Sequence, residues 1–178
     1  MSAKRGKMYG LAGYAGVGKD TVGELLTIIL GTKNCCSHAF AYQLKEETYS
    51  FIKGMYGFDI HTCTREQKET VRDFLVFWGE KRRKEDSDYW LNLVVKDILF
   101  KQMPGSNHII TDVRYKNEAE KIQEMGGKIW LLERQGINPY GKEEARSISG
   151  VREVADSIVH LPEFDSTVSY IDYIEAKL

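Results

Sequence analysis

The sequence is poor in the features that build disulfide scaffolds, metal clusters, polyanion-binding surfaces and membrane spans. It holds three cysteines, Cys35, Cys36 and Cys63. Three thiols cannot all pair, a bridge between vicinal Cys35 and Cys36 would be strained, and no C-x-x-C spacing is present. Neither a disulfide framework nor a zinc site is therefore expected, and a reducing cytoplasm is the fitting compartment. The four histidines, His38, His61, His108 and His160, show no ligand spacing and read as core or surface residues. Net charge is nearly absent, with 25 Lys+Arg against 26 Asp+Glu. That balance excludes the global basic field behind non-specific nucleic-acid binding, so no stable nucleic-acid partner is expected and any polyanion must be met locally. Long apolar runs are missing too. The stretch after Lys4, Arg5 and Lys7 imitates a leader peptide but breaks at Gly10 and Gly13, and nothing else approaches membrane-spanning length, so no membrane association is expected. No repeat or low-complexity segment is visible.

What is present is enough apolar material, 42% of 178 residues, for one well-filled core. Residues 1–178 read as a single domain. Near its start, Gly13-Tyr14-Ala15-Gly16-Val17-Gly18-Lys19-Asp20-Thr21 follows an apolar run, Lys7 to Ala12, that suits a buried strand. It opens a stretch, Thr21 to Leu30, that places Val22, Leu25, Leu26, Ile29 and Leu30 on one helical face. The spacing G-x-x-x-x-G-K is that of a P-loop, whose glycines let successive N–H groups point at one anion while the following helix adds the positive end of its dipole. Lys19 can reach β- and γ-phosphates. The residue after the lysine, usually a Ser or Thr whose hydroxyl sits on Mg²⁺, is Asp20, with the hydroxyl arriving one place later on Thr21.

Further along, Cys35 to Ala41 reads as a second strand and Tyr42 to Met55 as a helix with Leu44, Tyr49 and Ile52 inward. Lys45 would lie in its first turn, unfavourable to the helix dipole; a ligand role and an exposed surface lysine both fit. Thr64 offers an N-cap for a long polar helix through Val71, Leu75 and Trp78 that bears Arg72 and the run Lys81-Arg82-Arg83-Lys84. Such a run is usually a solvated face, but Arg82 and Arg83 also have the planar fork that suits phosphate oxygens. Asp86-Ser87-Asp88 would cap a helix from Tyr89 to Lys101, on which Trp90 reads as a packing residue before a base-stacking one.

His108-Ile109-Ile110-Thr111-Asp112 is an apolar strand ending in an acid, the element a P-loop protein sets beside its phosphate loop to hold a Mg²⁺-bound water or orient a nucleophile. Arg114 follows at the carboxyl edge, where open α/β sheets bind ligands. A helix at Lys116 to Met125, a strand at Lys128 to Glu133, a strand at Ser157 to Leu161 and a helix at Ser166 to Ala176 complete the pattern. Between Arg134 and Asp156 the hydrophobic pattern fades, so 135–155 reads as a lid or mobile loop carrying Arg146 and Arg152 behind Arg134. Strands and helices alternating in this way mean a parallel sheet covered on both faces.

The combination G-x-A-G-x-G-K-D-T, F-A-x-x-L-K at Phe40 to Lys45, Arg72 seven residues before Gly79, Tyr89-Trp90, and I-T-D-V-R-Y-K-N-E-A-E at Ile110 to Glu120 followed by M-G-G-K resembles the phage-type deoxynucleoside monophosphate kinases. The resemblance implies an α/β P-loop kinase fold with a five-stranded parallel sheet, helices on both faces, a lid, and an acceptor-binding helical region at about 42–104. It implies transfer of the γ-phosphoryl of ATP, with Mg²⁺, to a deoxynucleoside 5′-monophosphate. Gly13, Ala15, Gly16, Val17, Gly18, Lys19, Asp20 and Thr21 would then hold the donor. Lys45, Arg72, Asp112 and Arg114 would face the acceptor and Trp90 would help wall its site, to which the cation run adds Arg82 and Arg83 as candidates; Lys19, Asp112, Arg114 and Arg134 would lie closest to the chemistry, with Asp20 and Asp112 as candidate Mg²⁺ ligands. The partner would be a small nucleotide, and self-association into a homodimer is left open. Two departures stand out. Members often carry a Gln where this chain has Val76 and Phe77, and a His-x-Ser-Glu-like lid stretch where it has Arg146-Ser147-Ile148-Ser149. Beside this reading stand a kinase acting on a hydroxyl, with Asp112 as proton acceptor, and a nucleotide-dependent switch without an acceptor.

Overall fold

The computed structural model describes residues 6–163 and 167–178. Lys4, Arg5 and Ser166 lie outside them. The chain divides into two compact units, one made of Met1–His38 and Ile98–Leu178 and the other of Ala39–Asp97.

The first unit is built on a sheet of five strands, β1 (Met8–Ala12), β2 (Cys35–His38), β3 (Asn107–Val113), β4 (Lys128–Glu133) and β5 (Ser157–His160). Their spatial order is β2-β3-β1-β4-β5 and every pairing is parallel. Alternate residues point to opposite faces of a strand, and both faces are apolar. Tyr9, Leu11, Ile109, Trp130, Leu132 and Val159 form one core with Val22, Leu25 and Leu26 of α1 (Lys19–Leu30) and Ile174, which lies on a C-terminal helix at Thr167–Glu175. On the other face a Cβ at Gly10 would lie 2.6 Å from Ile129 Cδ1 and 3.1 Å from Ile122 Cδ1. Only glycine lets the helix carrying Ile122, at Lys116–Glu124, approach the centre of the sheet. Fully burying one such large aliphatic contributes roughly 1.5–3 kcal/mol.

The second unit is helical. It contains α2 (Phe40–Tyr56), α3 (Arg65–Thr70), α4 (Arg72–Glu85) and the start of α5 (Tyr89–Lys101). The last turn of α5 returns to the first unit. The helices after it, met above by their residues, are α6 (Lys116–Glu124), α7 (Lys142–Arg152) and α8 (Thr167–Glu175). Ile52, Ile60, Val71 and Leu75 form the core of the helical unit, lined by Leu44, Tyr49 and Phe74. Glu47 ties its helices together: its carboxylate accepts from Trp78 Nε1 at 2.9 Å, Arg82 Nε at 2.7 Å and Tyr89 Oη at 2.6 Å.

Three sequence expectations are corrected. β2 ends at His38, and Phe40 already begins α2 as a buried residue, so Lys45 falls in the second turn and the dipole argument about it lapses. The long polar helix is broken at Val71, whose φ/ψ of −109°/3° separates α3 from α4 while its side chain is fully buried. The 135–155 segment is not an irregular loop: α7 lies within it, with Ile148 and Val151 buried. His38 and His108 form a buried pair, Nε2 to Nδ1 at 3.0 Å, extended from His108 Nε2 to Ser106 Oγ at 3.0 Å. The three cysteines are free thiols. Among the described residues no helix is long and apolar enough to cross a membrane.

Candidate active site

The turn between β1 and α1 sits at the carboxyl edge of the sheet, next to the ends of β3 and β4 on either side of the central strand. Its path depends on glycine. Gly13 has φ +142° with a would-be Cβ 2.6 Å from the Leu132 carbonyl, and Gly18 has φ +109° and is the N-cap of α1. Among the described residues no side chain caps that helix, so the N–H groups of its first turn keep their donors for a ligand, at the positive end of the dipole.

Lys19 is partly buried, and its ammonium donates to the carbonyls of Gly13 at 2.7 Å and Tyr14 at 2.9 Å. Burial holds its pKa below the ordinary lysine value, and the Arg114 guanidinium pushes the same way. Glu144, Asp20 and Asp112 pull it back up. The end of β3 therefore brings Asp112 and Arg114 into the electrostatic field of Lys19. Arg114 is exposed, and its backbone N–H is held by the buried Glu118, whose Oε2 accepts it at 2.8 Å. Lys19, whose charge burial and Arg114 disfavour, stands at an uncapped helix start, an arrangement suited to a polyanion.

Arg134 leaves the end of β4. Its Nη2 lies 3.2 Å from the would-be Cβ of Gly18 and donates to Tyr170 Oη at 3.1 Å. Its Nε is buried without a hydrogen-bond partner among the described residues, an orphan donor that costs stability until an acceptor reaches it. A cavity of about 440 Å³ opens here, lined by Tyr14, Val17, Arg134, Ile137, His160 and Pro162 among others. Its mixed apolar and polar wall and its place beside the phosphate loop fit the nucleoside end of a nucleotide. The sequence pointed to the phosphate loop and missed this cavity, because Ile137, His160 and Pro162 come from separate segments that only the β4 and β5 pairing brings together.

The remaining expected residues have varied surroundings. Ala15, Gly16, Asp20 and Thr21 are exposed at the loop and the first turn of α1, and Val17 is buried. Arg146 is exposed on α7. Arg152 is ion-paired to Glu133, which also meets His160 Nδ1 at 3.2 Å. Within the helical unit, Arg72 Nε pairs with Glu69 at 2.8 Å on the surface. Arg82 is engaged with Glu47 and lies over the Trp78 and Tyr89 rings. Trp90 is 2% exposed, and its indole donates to the Gly79 carbonyl at 3.0 Å. Lys45 is half-buried on α2, and Arg83 is half-buried with its Nη1 3.5 Å from the would-be Cβ of Gly79. Among the described residues no group of three or more His, Cys, Asp or Glu side chains forms a metal cage. Asp20 and Asp112 still fit Mg²⁺, which usually binds through one or two carboxylates together with substrate phosphates and water.

The sheet order, the loop and the acid-ended β3 are those of the P-loop kinases. The dephospho-CoA kinase from Campylobacter jejuni superposes with a TM-score of 0.50 at 12% identity, over 96% of this chain and 94% of that one. A shikimate kinase from Acinetobacter baumannii matches at a TM-score of 0.49 and 13% identity, over 97% and 90% of the two chains. Within that class the chain belongs to the phosphomevalonate kinase family, whose model matches residues 11–128, and the protein is a phosphotransferase. It is also 28% identical over 155 residues to a protein of Acanthamoeba polyphaga mimivirus named "Putative deoxynucleotide monophosphate kinase", covering 73% of this chain and 75% of that one.

Proposed function

We propose that the protein transfers the γ-phosphoryl group of ATP to an acceptor that already carries a phosphate, and that a deoxynucleoside 5′-monophosphate is that acceptor. The observation that carries this reading is the placement of Lys19 and Arg114 within each other's field at an uncapped helix start. The D-V-R-x-x-N-E-A-E block and the name of the mimivirus relative favour the deoxynucleotide.

Lys19 exchanges the carbonyls of Gly13 and Tyr14 for β- and γ-phosphate oxygens, and the loop N–H groups complete the cradle. Arg134, with its orphan Nε, meets the donor on the nucleoside side. Arg114 holds the acceptor phosphate, and for Lys45, Arg72 and Arg83 of the helical unit an acceptor role rests on the sequence alone. Arg82 and Trp90, committed to Glu47 and Gly79, position that unit rather than touch substrate, and Arg146 is the lid arginine left for the phosphates. Asp20 and Asp112 would hold Mg²⁺, directly or through water, and the bound ion would neutralise charge on the transferring phosphates. An acceptor phosphate oxygen bonds to the γ-phosphorus as the bond to the β–γ bridging oxygen breaks, and ADP leaves. A phosphate monoester has a second pKa of about 6, so its oxygen is already an anion near neutrality and no strong general base is needed.

The family model favours a second acceptor, phosphomevalonate, which also presents a phosphate. A coupled ADP-release assay with ATP and Mg²⁺ separates the two, using common and modified deoxynucleoside and ribonucleoside monophosphates, phosphomevalonate and dephosphorylated controls. Deoxynucleoside monophosphates are expected to drive ADP release. Turnover with phosphomevalonate alone would move the assignment to that acceptor. Turnover with a dephosphorylated control would replace it by a hydroxyl kinase, and silence across the panel would reject it.

A further inference from the structure

Helix α7 sends a carboxylate into the phosphate loop. Glu144 Oε1 accepts the backbone N–H of Ala15 at 2.9 Å, and Oε2 accepts the N–H of Tyr140 at 2.7 Å, just before the helix begins. The second contact is ordinary. An acid at the third position of a helix commonly reaches back to satisfy an N–H ahead of it. The first is not, because Ala15 lies 129 residues away in the loop read above as a phosphate cradle. A single N–H cannot serve a carboxylate and a phosphate oxygen at full strength at once.

The two halves of α7 are held differently. Its C-terminal half is anchored by buried Ile148 and Val151, by the Arg152–Glu133 ion pair and, one residue past its end, by Glu153, which accepts from Lys116 Nζ at 2.8 Å. Its first two residues, Lys142 and Glu143, are exposed, and Gly136 ahead of it has φ +80°. The Glu144 bonds are thus a local tie on the loosely held end of the helix.

We propose that Glu144 is an intramolecular competitor for the phosphate site, a latch that holds the first turn of α7 on the loop and that a nucleotide must displace. The inference rests on the donor-site reading above. Displacement frees the 136–145 stretch while the anchored half stays in place, so phosphate binding is coupled to motion of this segment. The apparent affinity for any phosphate chain is lowered by the fraction of molecules that are latched.

Calorimetric titration of the full chain with ADP and with inorganic tripolyphosphate tests this in wild type, Glu144→Gln and Lys19→Ala. Gln keeps one acceptor for the Tyr140 N–H and loses the charge, so α7 should remain folded, as circular dichroism can verify. Both probes are expected to bind Glu144→Gln about 5- to 10-fold more tightly than wild type, as follows from removing one charge-assisted hydrogen bond at a partly exposed site. Equal affinities in these two proteins would overturn the latch while leaving the donor site standing. Binding by wild type that Lys19→Ala does not weaken would instead sink the donor-site reading. No binding by either wild type or Glu144→Gln would remove both. Hydrogen exchange on the wild-type chain gives a measure independent of any substitution. Tripolyphosphate should accelerate exchange in 140–146 if the latch opens, and unchanged or slower exchange there would overturn it.

Discussion

Lys19 lies among groups that oppose one another: burial and Arg114 disfavour its charge, while Asp20, Asp112 and Glu144 favour it. Its bonds to the Gly13 and Tyr14 carbonyls keep the ammonium satisfied within its own loop, so the side chain is pre-positioned and little rotamer freedom is lost when it turns to a phosphate. Lys19→Ala removes a side-chain cation bonded within the cradle. Turnover in the ADP-release assay should fall by at least about 10²–10³-fold, in line with the loss of a pre-organised donor at developing charge, with the circular dichroism spectrum unchanged. Activity within a few-fold of wild type would take this role from Lys19. Arginines do not all carry comparable weight. Arg152 and Arg82 already have carboxylate partners in Glu133 and Glu47, whereas Arg134 holds a buried donor with none.

At the scale of elements, the helical unit is joined by the Glu47 carboxylate as well as by its apolar cluster. Burial pushes that carboxyl up, but hydrogen bonds from Tyr89, Arg82 and Trp78 outweigh it, and the net pKa lies below the ordinary glutamate value. The sign follows directly. The folded state holds the Glu47 proton less tightly than the unfolded chain, so this stabilisation is complete above the unfolded value of about 4.3 and is lost as pH falls through the folded one. Glu47→Gln should lower stability by about 1–2 kcal/mol at neutral pH, the difference between charged and neutral hydrogen bonds. In urea unfolding the deficit should shrink near pH 3, and an equal deficit at both pH values would mean that another group carries the acid sensitivity.

For the molecule as a whole, every residue assigned to the donor lies in the sheet unit, on the loop after β1, in the first turn of α1, near the ends of β3, β4 and β5, and, for Arg146, on α7. Nucleotide that binds only the folded form stabilises it by mass action, about 2.7 kcal/mol at one hundred times Kd. For a chain of this size that corresponds to a rise in Tm of roughly 5–10 °C. Differential scanning calorimetry with ATP and Mg²⁺ should show the rise in wild type and lose most of it in Lys19→Ala. A rise of equal size in both proteins would place nucleotide binding elsewhere.

The order of the strands, the phosphate loop with Lys19, the acid-ended β3 and the cap at Thr64 were legible in the sequence, because each depends on residues a few positions apart. Local chemistry dictates them: glycine backbone freedom in the loop, alternation along a strand, and a hydroxyl that caps the Gln67 N–H at 3.2 Å. Tertiary structure decided the rest. It broke the polar helix at Val71 because the helical core buries that side chain, and it made a helix of 142–152 by covering only Ile148 and Val151, too few apolar residues to register as a pattern. It also set Glu144 on Ala15 and gathered Ile137, His160 and Pro162 around one cavity. Those are contacts between residues far apart in the chain, and pairing of the parallel strands, not any local preference, brings them within reach.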